Sequence, residues 1–152
     1  MAYTSDSARR QLLEQLGQAV GLLSLAVEAL GEAYEAADEQ MAAVLEEQLF
    51  RPAQRAYGRA RQTRSRFSER HHLEAEPVTE GPAGAPSADP RIHLERAIDA
   101  IARADEVIAE MQDSMLPVEV GDRELRDGLT EVRELVADVP REGRQLLRLV
   151  GR

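Results

Sequence analysis

The chain has 152 residues and a formal net charge of −9, with 43% hydrophobic residues, 31% charged residues, 3% aromatics and no cysteine. That length supplies one domain with a moderate core, and an aliphatic, charged, aromatic-poor mixture favours long amphipathic helices over sheets. The lack of cysteine excludes disulfides, thiolate nucleophiles and sulfur-ligated zinc; all 19 basic residues are arginine, so Schiff-base lysine chemistry and the phosphate-gripping lysine of a P-loop are excluded too.

The opening stretch, MAYTSDSARRQLLEQLG, lacks the basic-then-apolar layout of a signal peptide. It reads as a helix start with Ser5 or Ser7 as cap, and the expectation is a cytoplasmic protein. The least polar run, Leu16 to Val27, ends at Glu28, well short of the ~20 residues a membrane span needs. No membrane partner is expected.

From Leu13 the apolar residues recur at alternating spacings of three and four: Leu13, Leu16, Val20, Leu23, Val27, Leu30, Tyr34, Ala37, Met41 and Val44. A seven-residue repeat held this long keeps one narrow stripe facing a partner helix, the pattern of a coiled-coil seam. Gly31 costs about 1 kcal/mol relative to alanine, but the repeat passes through it in register. The spacing therefore predicts one helix to about Phe50, roughly 65 to 70 Å long. The stripe can pack on the chain's own later helices, as in an ordinary bundle. Alternatively it engages a second copy. The second reading is preferred because so long a helix outruns each later segment and would leave several heptads bare. Gly17, Gly21 and Ser24 along one edge would let another helix approach closely.

Pro52 has no amide hydrogen and its ring crowds the carbonyl four residues back, so a kink or restart is expected there. A second helix follows to about Leu73. Residues 74–89, rich in proline, glycine and alanine, read as a flexible linker. Asp89 with Pro90 forms a cap and first turn, opening a helix that carries Leu94, Ala97, Ile101, Ala104, Ile108, Met111 and Met115 on one face. Asp122 caps another with Leu125, Leu129, Val132, Leu135, Val136 and Val139, interrupted at Pro140, and a terminal segment docks through Leu146, Leu147 and Val150. The expected architecture is all-α: an elongated bundle with residues 1–73 as a long helix plus an arginine-rich helix, and 90–152 as a helical hairpin.

The stretch LFRPAQRAYGRARQTRSRFSERHH holds seven arginines and one acid. On a helical wheel Arg51, Arg55, Arg59, Arg66 and Arg70 fall within about 100°, opposite Ala53, Ala56, Tyr57, Ala60 and Phe67. Like charges four residues apart repel, and three environments can accommodate them. An antiparallel neighbour can neutralise them, with Glu28, Glu32, Glu35, Asp38, Glu39, Glu46 and Glu47 in the first helix as the source. Salt can screen them on a solvated face. A nucleic acid or other polyanion can bind them through guanidinium forks, with Tyr57 or Phe67 stacking on bases. No helix-turn-helix, RNA-binding or basic-zipper signature accompanies the patch, which disfavours nucleic acid.

Chemistry has few candidates. Glu69 and His72 have the Glu-x-x-His spacing of di-iron bundles, but the second such pair is missing, since proline precedes His93 by three residues. A zinc site from His71 or His72, His93 and Asp89 would have to close across the linker. No nucleophile elbow or glycine-rich phosphate cradle is present. The reading expects no catalytic residue, metal or cofactor. It expects a non-enzymatic scaffold or adaptor that self-associates as a homodimer or higher oligomer through the Leu13 to Val44 seam. The alternative is a polyanion-binding module using the Arg51 to Arg70 face.

Overall fold

The computed structural model describes residues 2–78 and 89–150. Among them the regular elements are all helical: α1 (Ala2–Ala36), α2 (Glu39–Leu45), a π turn (Glu46–Phe50), α3 (Arg51–Arg70), α4 (Pro90–Asp113), α5 (Leu116–Val120), α6 (Arg123–Val136) and α7 (Val139–Val150). The all-α expectation holds. The long amino-terminal helix and the carboxy-terminal hairpin of α4 with α6 and α7 are both present.

The continuous helix to Phe50 is corrected. The first helix stops at Ala36, because Asp38 leaves helical geometry (ψ 170°) and its Oδ1 accepts the Met41 amide at 2.8 Å. That bond satisfies one of the amides a helix start leaves without a partner. The break lies seven residues beyond Gly31's side of the heptad, at a carboxylate and not at the glycine. After this reversal the chain runs helically from Glu39 to Arg70, past Pro52.

Near Pro52 the irregularity expected from the sequence takes the form of the π turn, in which the Arg51 amide donates to the Glu46 carbonyl five residues back. Two causes converge. Pro52 has no amide to donate, and a wider turn relieves its ring from the carbonyl four residues earlier. In addition, the buried residues Met41, Leu45, Leu49 and Ala53 are spaced by four. An α-helix overshoots by about 40° in each such step, and the π turn unwinds that drift so that all four face the core.

α1 and the α2–α3 rod form an antiparallel pair, bringing Gly17 against the Arg64 side chain. α4 runs antiparallel to α1: its His93 Nδ1 lies 2.9 Å from Glu32 Oε2 beside the reversal between α1 and α2, the hairpin end of the bundle, and α5 reaches the beginning of α1 at the other. α6 runs antiparallel to α3, and α7 continues to the hairpin end against α4, the π turn and α2. Four rods result, each antiparallel to its neighbours, with α3 and α4 parallel on a diagonal. The beginning of α4 therefore lies at the opposite end from the end of α3, which is the single-crossover connectivity available to four-helix bundles.

Of the expected flexible linker 74–89, residues 79–88 lie outside the described residues. Of its described beginning, residues 74–77 are exposed and Val78, like Leu73 before the linker, is half-buried against the core; Nη2 of Arg64 donates to the Glu76 carbonyl.

The core is aliphatic, with Leu12, Leu16, Leu23, Leu30, Leu45, Leu49, Leu94, Ile101, Ile108, Met111 and Leu125 fully buried and Phe67 the aromatic among them. α1 and α4 make the most extensive contact, where Ala26, Ala29 and Ala33 meet the level of Ala97, Ala100 and Ala104, all buried. By length and composition α1 has the makings of a membrane span, since an 18-residue window reaches a mean hydropathy of 1.2. The same helix contributes Leu12 through Ala33 to this core.

α6 reaches α3 as closely through Gly128, where a Cβ would stand 2.8 Å from Thr63 Cγ2. Thr63 cannot swing aside freely, because its hydroxyl donates to the Arg59 carbonyl at 2.8 Å. Gly128→Ala is expected to destabilise the fold by about 1 to 3 kcal/mol through overpacking, read as a lower urea midpoint by circular dichroism. An unchanged midpoint would mean that α3 and α6 are farther apart.

Candidate functional site

Most of the seam residues lie inside the chain's own bundle. Leu13, Leu16, Val20, Leu23, Leu30 and Met41 are buried in the chain's own bundle, and Val27 is half-buried. The stripe is covered from within because the helix folds back at Asp38 and α4 lies along α1, so its length no longer calls for a second copy. Tyr34 and Val44 are left out, 44% and 39% exposed. They flank the reversal, where the heptad register is broken.

The arginine face is divided. Arg51, Arg55 and Arg66 are exposed, Arg51 standing 4.0 Å from Glu46. Arg59 Nε pairs with Glu131 at 2.6 Å, and Arg70 pairs with Asp122 at 2.7 Å and with Glu124. The neutralising neighbour is thus α6, not the acidic half of the first helix. Apart from Glu46, the acids of residues 28–47 have no ion pair with this face among the described residues, because they gather at the hairpin end while α3 leads away from it. Arg66 lines a cleft of about 170 Å³ with Arg59, Thr63, Arg70, Glu124 and Asp127. Two of its three guanidinium groups are already bonded to carboxylates.

Asp122 is the best-bonded group of this seam. It is 6% exposed, caps α6 by accepting the Leu125 amide at 2.9 Å, takes both Nε and Nη2 of Arg70, and lies 2.7 Å from His71 Nε2. Burial alone would raise its pKa. The Leu125 amide and the Arg70 and His71 side chains outweigh that and hold it below its ordinary value of 3.8. His71 in turn rests on the Phe67 ring at a centroid distance of 4.6 Å. This aspartate–histidine pair escaped the sequence reading because 51 residues separate its members. It is not assembled with a nucleophile, since the nearby Ser68 hydroxyl donates to the Leu73 carbonyl at 2.7 Å.

The metal candidates are not brought together. His71 sits at the end where α3 finishes and His93 at the hairpin end against Glu32, while Glu69 and His72 are exposed. Among the described residues no three His, Asp or Glu side chains gather in a metal-holding arrangement.

Two features emerge that sequence reasoning did not assemble. At the hairpin end, Tyr34 (α1), Val44 (α2), Ile92 (α4) and Leu149 (α7) are large apolar side chains left exposed, Leu149 to 68%. Along the outside of α1 and α3, a groove of about 790 Å³ is lined by side chains that include Val20, Ser24, Tyr57, Arg61, Arg64 and Val78. Arg61 and Arg64 fall off the arginine face of the wheel. The available hint was Tyr57 four residues before Arg61, a pair that does meet, with the guanidinium carbon 5.4 Å from the ring centroid.

The Asp122 hub yields a pH prediction. A carboxylate with a depressed folded pKa contributes stability in full above its unfolded value and loses it as pH falls through the folded one. Asp122→Ala is expected to cost roughly 2 to 3 kcal/mol at neutral pH, combining a lost cap with lost charged hydrogen bonds. Asp122→Asn keeps the cap and is expected to cost less. The gap between parent and Asp122→Asn, followed by urea melts, should narrow below about pH 4; a constant gap would refute the depressed pKa. No family model, curated protein or solved structure matches the chain, so the functional reading rests on this geometry.

Proposed function

We propose that the chain acts without catalysis, as a helical scaffold that self-associates through the hairpin end of its bundle. One observation carries the reading: while the rest of the long apolar stripe is covered internally, each of the four rods leaves a large apolar side chain exposed toward this end, Tyr34, Val44, Ile92 and Leu149, against two, Met115 and Val118, at the opposite end. Exposed apolar side chains gathered in one region mark interaction sites more often than chance solvent contact. The seam from Leu13 to Val44 contributes only its two exposed members, Tyr34 and Val44.

The same end carries an electrostatic opposition. Residues 28–47 hold Glu28, Glu32, Glu35, Asp38, Glu39, Glu46 and Glu47 with no arginine among them. α4 and α7 bring Arg91, Arg96, Arg144 and Arg148 to this end as well, so the repulsion arises where the acids of residues 28–47 in two copies face each other; there salt, which screens exposed charges within about 10 Å at 0.1 M, strengthens the contact. A protein partner that carries arginines or lysines beside an apolar helix face would fit the same end without that penalty.

Sedimentation or light scattering tests the reading. At high salt the mass is expected near twice 16.8 kDa, shifting toward the monomer as salt is lowered. Leu149→Glu, on a side chain already in water, should restore the monomer at every ionic strength while leaving the helical spectrum unchanged. A monomer at all salt concentrations and tens of micromolar protein would overturn self-association.

A further inference from the structure

We infer that the outer groove between α1 and α3 binds a small organic monoanion with an apolar body. Its head would lie on Arg61 and Arg64, and its body against Val20, Tyr57 and Val78. This site lies away from the hairpin end and does not depend on the self-association reading.

In a chain of net charge −9, neither Arg61 nor Arg64 is ion-paired to a described carboxylate, unlike Arg59 and Arg70 on the neighbouring face. Both line the same concavity. Arg64 is held in place: Nη2 donates to the Glu76 carbonyl, the side chain lies against Gly17, and Nε is buried with no hydrogen-bond partner. Nε is thereby shut off from the groove, and Nη1, which has no hydrogen bond to a described residue, is the group left for a charge-assisted bond to a carboxylate or phosphate oxygen. Arg61 uses its face on the Tyr57 ring, which leaves its edge N–H groups available. Glu69 lines the groove as well, so the local balance is one net positive charge. A monoanion matches that balance better than a dianion.

Size and the apolar surface define the rest of the ligand. About 790 Å³ of open groove is within the range of sites for small organic molecules. Val20 is buried beneath the groove, and the half-buried Tyr57 and Val78 supply the apolar surface on which an alkyl chain or flat ring can lie, in a lining that is otherwise mainly polar. Ser24 and Gly58 keep the walls low; a Cβ on Gly58 would meet nothing within 4 Å.

The test uses the full chain, labelled with nitrogen-15 and titrated with decanoate, decanol and acetate. Decanoate is expected to give saturable shifts at amides around residues 17–24 and 57–69, with decanol and acetate each at least about tenfold weaker because each lacks one half of the recognition. Decyl phosphate in place of decanoate reports whether a phosphate head serves as well as a carboxylate. Arg61→Gln, an exposed position, should weaken decanoate about tenfold. Ser24→Phe should fill the groove and abolish the shifts without removing either charge. The inference is overturned if decanoate gives no saturable shifts, if the shifts fall at the hairpin end, if decanol binds as tightly, or if Arg61→Gln changes nothing while circular dichroism shows an unaltered fold.

Discussion

The reversal at Ala37 and Asp38 decides the fate of the apolar stripe, and the bundle follows from it. A helix can end wherever its next amides find other acceptors, and the Asp38 carboxylate supplies one for Met41 at 2.8 Å. Once the chain turns there, α2 and α3 lie back along α1, and α4 covers the face that still needs burying. Leu16, Leu23 and Leu30 on one side of the turn and Met41, Leu45 and Leu49 on the other then share one core. Had the helix continued, the same leucines would have formed a strip too long for any later segment to shield. A single capping carboxylate thus converts a pattern suited to association between chains into one satisfied within a chain.

The two sides of the bundle close by different means. α1 and α4 approach through alanines and are tied by little that is polar, the buried His93 against Glu32 being the main exception. α3 and α6 approach through Gly128 at Thr63 and are flanked by ion pairs, Arg59 with Glu131 on one side and Arg70 with Asp122 on the other. Exposed pairs of the first kind contribute at most about 1 kcal/mol. The Asp122 hub contributes more because its carboxylate is withdrawn from water and saturated with donors. Of the α3 arginines, Arg59 and Arg70 are thus neutralised from α6, while Arg51, Arg55 and Arg66 stay exposed.

Much of the architecture was legible in the residues. Asp89 before Pro90 and Asp122 before Arg123 mark two helix starts, and both aspartates cap as expected. Asp38 before Glu39 is a signal of the same type, overridden in the reading because the heptad spacing runs through it unbroken. The repeat records which residues are apolar, not whether the chain turns between them. The clue to the π turn was the fourfold spacing of Met41, Leu45, Leu49 and Ala53, which no α-helix keeps on one face for long. What could not be read locally were the partners across the bundle. Arg70 with Asp122, Arg59 with Glu131 and His93 with Glu32 join helices whose relative rotation is set by packing, so a wheel of one helix cannot reveal them.

The same limit explains the arginines. A wheel sorts Arg51, Arg55, Arg59, Arg66 and Arg70 onto one face and suggests that the densest face is the binding face. Packing against α6 reverses that logic, because the densest positive face is also the one that attracts carboxylates from within the chain. Charge left uncompensated then resides on Arg55 and Arg66 of that face and also on residues the wheel sets aside. Arg61 and Arg64 look toward α1, a helix that carries no acid between Glu14 and Glu28, and at their level it presents Gly17, Val20 and Ser24 instead. That acid-free segment of α1 leaves two guanidinium groups beside an apolar floor. The acids absent there are concentrated from Glu28 onward, toward the end where Tyr34, Val44, Ile92 and Leu149 are exposed, so the uneven distribution of charge along α1 separates an arginine-lined groove from an acidic stretch.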